Sequence, residues 1–138
     1  MEFAEIIVGK DEMRELVNRI AQLADSISDS GTVTDSVGIY NEKKYLQRLV
    51  EDANELLCHG EWLIALENIL DNLAKVNYKL EPGIWCFAKR ASKCAPDGWT
   101  HEKLLRKVMM TRLMAVARYG DDDMQQFKFH LEKGIERV

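Results

Sequence analysis

No apolar run in this chain approaches the ~20 residues that a membrane-spanning helix needs, so no span is expected. The N-terminal stretch MEFAEIIVGKDE has acids where a signal peptide carries bases, and its apolar run is too short for one. The default compartment is therefore the cytoplasm. Cysteine is scarce and odd in number, with three residues (Cys58, Cys86, Cys94) lacking framework spacing, so no disulfides are implied.

Catalytic and metal signatures are also missing. Cys86, Cys94 and His101, with Cys58-His59, include zinc-ligand residue types, but not the paired spacing of two to four residues that structural sites use. His101-Glu102 lacks the second histidine one turn later that a metalloprotease helix requires. Gly9-Lys10 has no glycine-rich loop before it to cradle a phosphate. The Ser/Thr content of residues 28–40 is too diffuse to mark a nucleophile. The expectation is a protein that is not an enzyme and uses no metal or cofactor.

What the sequence does hold is helical periodicity. Its 138 residues, 46% hydrophobic and 30% charged, suit one domain spanning 1–138. Residues 1–10 read as an N-terminal arm or a lead-in to a helix, since Ile6, Ile7 and Val8 are β-branched and Gly9 breaks the run. Asp11 is a plausible N-cap for a first helix whose inward face is Met13, Leu16, Val17, Ile20, Leu23, Ala24 and Ile27. A long polar loop follows over 28–40.

Asn41 can cap a second helix. Gly60 then separates two amphipathic stretches, one carrying Leu49, Val50, Ala53, Leu56 and Leu57, the other Trp62, Leu63, Leu66, Ile69, Leu70, Leu73 and Val76. That spacing predicts an αα-hairpin with Gly60 at positive φ. Pro82 opens a fourth helix running to about Cys94, and Ala95–Gly98 is a turn. Thr100 caps a fifth helix with Leu104, Leu105, Val108, Met109, Leu113, Val116 and Ala117 inward, ended by Gly120. A sixth carries Met124, Phe127, Leu131, Ile135 and Val138. The predicted fold is all-α, a single-domain bundle of about six helices around the central hairpin.

Net charge is −4 but unevenly spread. Residues 1–82 hold 16 acids and 8 bases, while residues 83–119 hold 2 acids and 8 bases. Either the surface is polarised or the two regions neutralise each other across packed helices. The scattered bases of 89–118 in an acidic chain argue against direct nucleic-acid contact. Glu51, Asp52 and Glu55 leave the second helix on its polar side, and Glu67 and Asp71 leave the third on one face. They read either as a solvated face or as an acidic docking surface for a basic partner. Asp121, Asp122 and Asp123 read as a helix start, where acids favour the dipole and cap free N–H groups, and as a further acidic surface to test.

One pattern in the central stretch resembles a known family. Cys58-His59-Gly60-Glu61-Trp62, then Ala65-Leu66-Glu67, then Leu70-Asp71-Asn72-Leu73, is similar to the motif of small bacterial immunity proteins of the MafI type. These accompany polymorphic toxins, including those of contact-dependent growth inhibition. The likeness covers roughly residues 49–95. It implies a protein that binds a cognate toxin domain, often a basic nuclease, and blocks its active site. It also implies that Trp62 and Leu66 belong to the core rather than the interface. The competing expectation is an all-α adaptor that takes a helix or peptide of a partner into a groove. The oligomeric state is left open.

Overall fold

In the computed structural model, residues 3–111 are described, together with 113, 114 and 117. The chain runs α1 (Phe3–Ser26), β1 (Thr32–Thr34), β2 (Ile39–Asn41), α2 (Glu42–Cys58), α3 (Trp62–Lys75), α4 (Pro82–Ser92) and α5 (Glu102–Lys107). It is predominantly helical. The helical expectation holds, and the region expected as a polar loop over 28–40 also contributes a small two-stranded antiparallel sheet.

α1 begins well before Asp11. Ile6, Ile7 and Val8 are helical despite their β-branching, and Asp11 lies inside the helix, not at its start. Ile6, Ile7 and Val8 are exposed there, while Gly9 is buried. A Cβ at position 9 would lie 2.7 Å from Cη2 of Trp62, so only glycine lets the indole of α3 close on α1. Further along, Met13, Leu16, Val17, Ile20 and Ala24 form the buried stripe.

The hairpin has strands of only three residues, paired Thr32 with Asn41, Val33 with Tyr40 and Thr34 with Ile39. Asp35 organises its turn. Its Oδ1 accepts from the N–H groups of Val37 at 2.8 Å and Gly38 at 2.9 Å, and the Tyr40 hydroxyl donates to the same carboxylate. Those donors, with Val37 N–H first, hold the Asp35 carboxyl below its ordinary value. Val33 plugs the hairpin into the core, while Val37 and Ile39 stand in solvent.

Asn41 ends β2 and caps α2 as expected, its Oδ1 accepting from Lys44 N–H at 2.9 Å. α2 buries Leu46, Leu49, Ala53 and Leu57. It ends in a Schellman turn: Glu61 N–H donates to Leu56 C=O at 2.9 Å and Gly60 N–H to Leu57 C=O at 3.0 Å. Gly60 takes φ +76°, the left-handed conformation that its lack of a side chain permits. α3 closes on the same motif. Tyr78 N–H reaches Leu73 C=O and Asn77 N–H reaches Ala74 C=O, with Asn77 at φ 53° in the glycine role.

α2 and α3 are joined by three residues and pack against each other, and α3 touches each of the other four helices. The most extensive packing, however, is that of α1 against α4 and α2. On the α1–α4 seam, Arg90 Nε pairs with Glu12 Oε2 at 3.0 Å, and its guanidinium lies 4.6 Å from the Phe87 ring centre. Here the acidic and basic regions do neutralise each other across packed helices.

Pro82 occupies the first turn of α4 as expected, with Glu81 at the N-cap. The fifth helix differs from expectation in three ways. It starts at Glu102 with His101 at the N-cap, so Thr100 does not cap it. It ends at Lys107, because the backbone of 108–110 turns to Leu80 instead. Leu80 N–H donates to Val108 C=O, and Met110 N–H donates to Leu80 C=O at 2.8 Å. As a result Met109 is only half-buried, and Leu113 (82% exposed) and Ala117 face solvent rather than the core. The sixth helix, Gly120 as a terminator, Val116, and Asp121–Asp123 lie outside the described residues.

Candidate functional site

The acids singled out in the sequence fall into two groups. Glu51, Asp52 and Glu55 stand on the last turns of α2. Glu51 and Glu55 are exposed, and neither has an ion pair among the described residues. Asp52 is half-exposed, with Arg48 Nε 3.8 Å from its Oδ1, an i, i+4 surface pair of small energetic consequence. α2 carries no base in its last turn. Glu55 sits in that turn, at the negative end of the helix dipole, where a carboxylate costs roughly 0.3–1 kcal/mol.

Asp52 and Glu55 rim a shallow groove of about 380 Å³ between α2 and α3, completed by Leu56, His59, Ile64 and Asn68. Ile64 is half-exposed, an apolar side chain open to solvent beside two carboxylates. The groove is the part of this site that sequence periodicity could not find. Ile64 falls off the buried stripe of α3, and that departure was the available signal.

Glu67 and Asp71 behave differently. Trp99 Nε1 donates to Glu67 Oε2 at 2.8 Å. His101 Nε2 lies 3.2 Å from Asp71 Oδ2, and its Nδ1 lies 3.5 Å from Glu67 Oε2. The Trp99 and His101 rings stack with centroids 5.8 Å apart. These two acids therefore hold the α4–α5 connection onto α3 and do not stand as free charges. Asp121, Asp122 and Asp123 lie outside the described residues.

A second concavity, about 440 Å³, lies between α4 and α5 and is lined by Trp85, Leu105 and Met109 with Lys103, Arg106 and the Lys89–Glu102 pair, three bases to one acid. Trp85 is fixed there by its Nε1 donating to Leu105 C=O at 2.8 Å. Acidic and basic grooves thus sit on separate helix pairs.

Among the described residues, no three His, Cys, Asp or Glu side chains gather as metal ligands would. No disulfide joins Cys58, Cys86 or Cys94 among the described residues. Burial, together with Glu5 and Glu12, pushes the Cys94 thiol up from its ordinary value. Among the described residues, no helix is long and apolar enough to cross a membrane.

What fold and groove define is a class: a predominantly helical protein with a two-stranded appendage and an acidic groove between two helices. Comparison with protein-family models, with curated proteins and with solved structures finds no match for this chain.

Proposed function

We propose that this chain is an immunity protein that binds a cognate bacterial toxin domain in the cytoplasm and occludes its active site. The toxin is a basic nuclease, and the immunity protein itself catalyses nothing. The finer architecture that goes with this reading is a six-helix bundle built around α2 and α3 as an αα-hairpin.

The observation that carries the reading is the placement of Asp52 and Glu55. Glu55 stands in the last turn of α2, where an acid opposes the dipole, and together with Asp52 it rims a groove holding an exposed Ile64. A charge such as Glu55, which costs the helix stability and has no ion pair among the described residues, points to a partner outside the chain. Opposite charge on a basic cleft speeds encounter, and an apolar residue at the centre of such a patch anchors it.

The second reading, an adaptor that takes a partner's helix or peptide, is favoured by the groove's apolar lining of Leu56 and Ile64. The test is co-expression with the product of the neighbouring reading frame, which this reading expects to be a toxin. Growth should be rescued by the wild-type chain and lost with the paired substitutions Asp52→Lys and Glu55→Lys. A toxin that kills equally with or without this chain sinks the immunity reading and leaves the adaptor.

A further inference from the structure

We propose that the concavity between α4 and α5 is the docking site of the chain's own C-terminal segment, residues 121–138. This surface is separate from the acidic groove and does not depend on the docking reading above.

The concavity is amphipathic. Trp85, Leu105 and Met109 give it an apolar floor, and Lys89, Lys103 and Arg106 stand around it against the single acid Glu102. The indole N–H bond to Leu105 C=O holds the Trp85 ring in place as a fixed wall. Glu102 pairs with Lys89, at 4.0 Å. Lys103 and Arg106 are exposed, and neither has an ion pair among the described residues. Such a surface fits a segment that carries negative charge beside an apolar anchor.

Residues 121–138 lie outside the described residues, and their sequence matches the concavity on both counts. Asp121, Asp122 and Asp123 stand together, and the run 121–127 has no base. Met124 follows directly, and Phe127, Leu131, Ile135 and Val138 recur at spacings of three and four, which a helix would gather on one face. Three acids can meet three bases, and an apolar stripe can meet an apolar floor.

The connection is short. Met109 lines the concavity, and Met110 after it is buried. Leu113 and Met114 are exposed. Twelve residues lead from Met109 to Asp121, a reach of about 18 Å along a helix or ~40 Å fully extended. A tether of this length supplies an effective concentration on the order of millimolar. Contacts too weak to join separate molecules therefore suffice. Docking would also set the excess of bases in residues 83–119 against the acids that follow them.

The experiment uses the full chain with isotope-labelled tryptophan, and the Trp85→Phe variant assigns the Trp85 indole N–H resonance. Changing Asp121, Asp122 and Asp123 together to Asn should shift that resonance, and so should Phe127→Ser. The Trp62 and Trp99 resonances should stay in place, which reports an intact fold. The shifts should be the same in dilute and concentrated protein, and high salt should reproduce part of the effect of removing the three charges. A carbodiimide, which couples a carboxylate to an amine in contact with it, should join the Asp run to Lys89 or Lys103 in preference to the exposed Lys107.

A Trp85 resonance that neither variant moves overturns the proposal. A shift shared by all three indoles does so too, since Trp85 alone of the three lines the concavity. Coupling to Lys107 without Lys89 or Lys103 also overturns it, because the tether alone would produce that. Shifts that grow with protein concentration overturn docking within one chain and put the segment of a second copy in the concavity.

Discussion

The two ends of the α2–α3 pair are built from similar materials and do opposite things. At one end, where α2 starts and α3 stops, nearly every polar group is used inside the molecule. Asn41 caps α2, Tyr45 donates its hydroxyl to Asn72 C=O at 2.7 Å, and Tyr78 donates to Glu42 Oε2 at 2.7 Å. Lys75 reaches Asp35 at the hairpin turn. At the other end, around the Gly60 turn, α2 closes on its Schellman bonds, but Glu61 at the start of α3 makes no side-chain cap bond, and Glu51 and Glu55 have no ion pair among the described residues. Charge that is consumed in holding a fold together is not available for recognition. The proposed docking surface lies at the open end.

The comparison assumes one core beneath both ends, and its largest test lies there. Leu66 is fully buried in α3, and replacing it by Ala should cost on the order of 2–5 kcal/mol by denaturant unfolding. A loss under ~1 kcal/mol would put Leu66 outside the core. Next is the foundation of the open end. Gly9→Ala drives a methyl into the Trp62 ring and should destabilise by about 1–3 kcal/mol. Neutral behaviour would mean that the indole is not seated on α1.

At the anchored end, Tyr45→Phe removes the donor to Asn72 C=O and should cost about 0.5–1.5 kcal/mol. At the open end the sign should reverse. Glu55→Lys replaces an acid by a base in the last turn of α2 and should raise stability by roughly 0.3–1 kcal/mol, while weakening partner binding. A variant that loses stability would show that Glu55 is structural after all.

The smallest effect concerns acid. The Asp35 carboxyl is held low by the Val37 and Gly38 N–H groups, with help from Tyr40 and Lys75. A depressed folded value means that the unfolded chain binds the proton first as pH falls. The contribution is therefore complete above the ordinary carboxylate range and fades as pH drops through the folded value. Amide exchange in residues 35–41 should quicken there, and the Asp35→Asn variant should lack that pH dependence.

The elements that were legible from sequence are those whose signal is local. Asn41, Gly60 and Pro82 each act through their own backbone, and each occupies the place its chemistry predicts. The buried stripes of α2 and α3 follow directly from periodicity. What escaped depends on partners distant in sequence. Gly9 reads as a breaker until Trp62, far along the chain, is seen lying on it. The fifth helix stops early because Leu80 takes the backbone of 108–110. The hairpin was hidden by strands too short to alternate visibly. For the acids, residue type and helix face were readable, but the division into free and engaged groups was not. Trp99 and His101, which make that division, lie about thirty residues from Glu67 and Asp71.

The central claim is that the open end docks a basic toxin domain through its acids, and association kinetics test it most directly. The measurement is the association rate of the cognate toxin domain that the proposed function calls for, for wild type and for the Asp52→Lys, Glu55→Lys variant, at low and high salt. The account predicts a wild-type rate that falls steeply with salt, because steering between opposite charges is screened. The variant should associate more slowly at low salt and respond less to added salt, with its fold intact. Equal rates for both chains, with the same salt dependence, would contradict the claim.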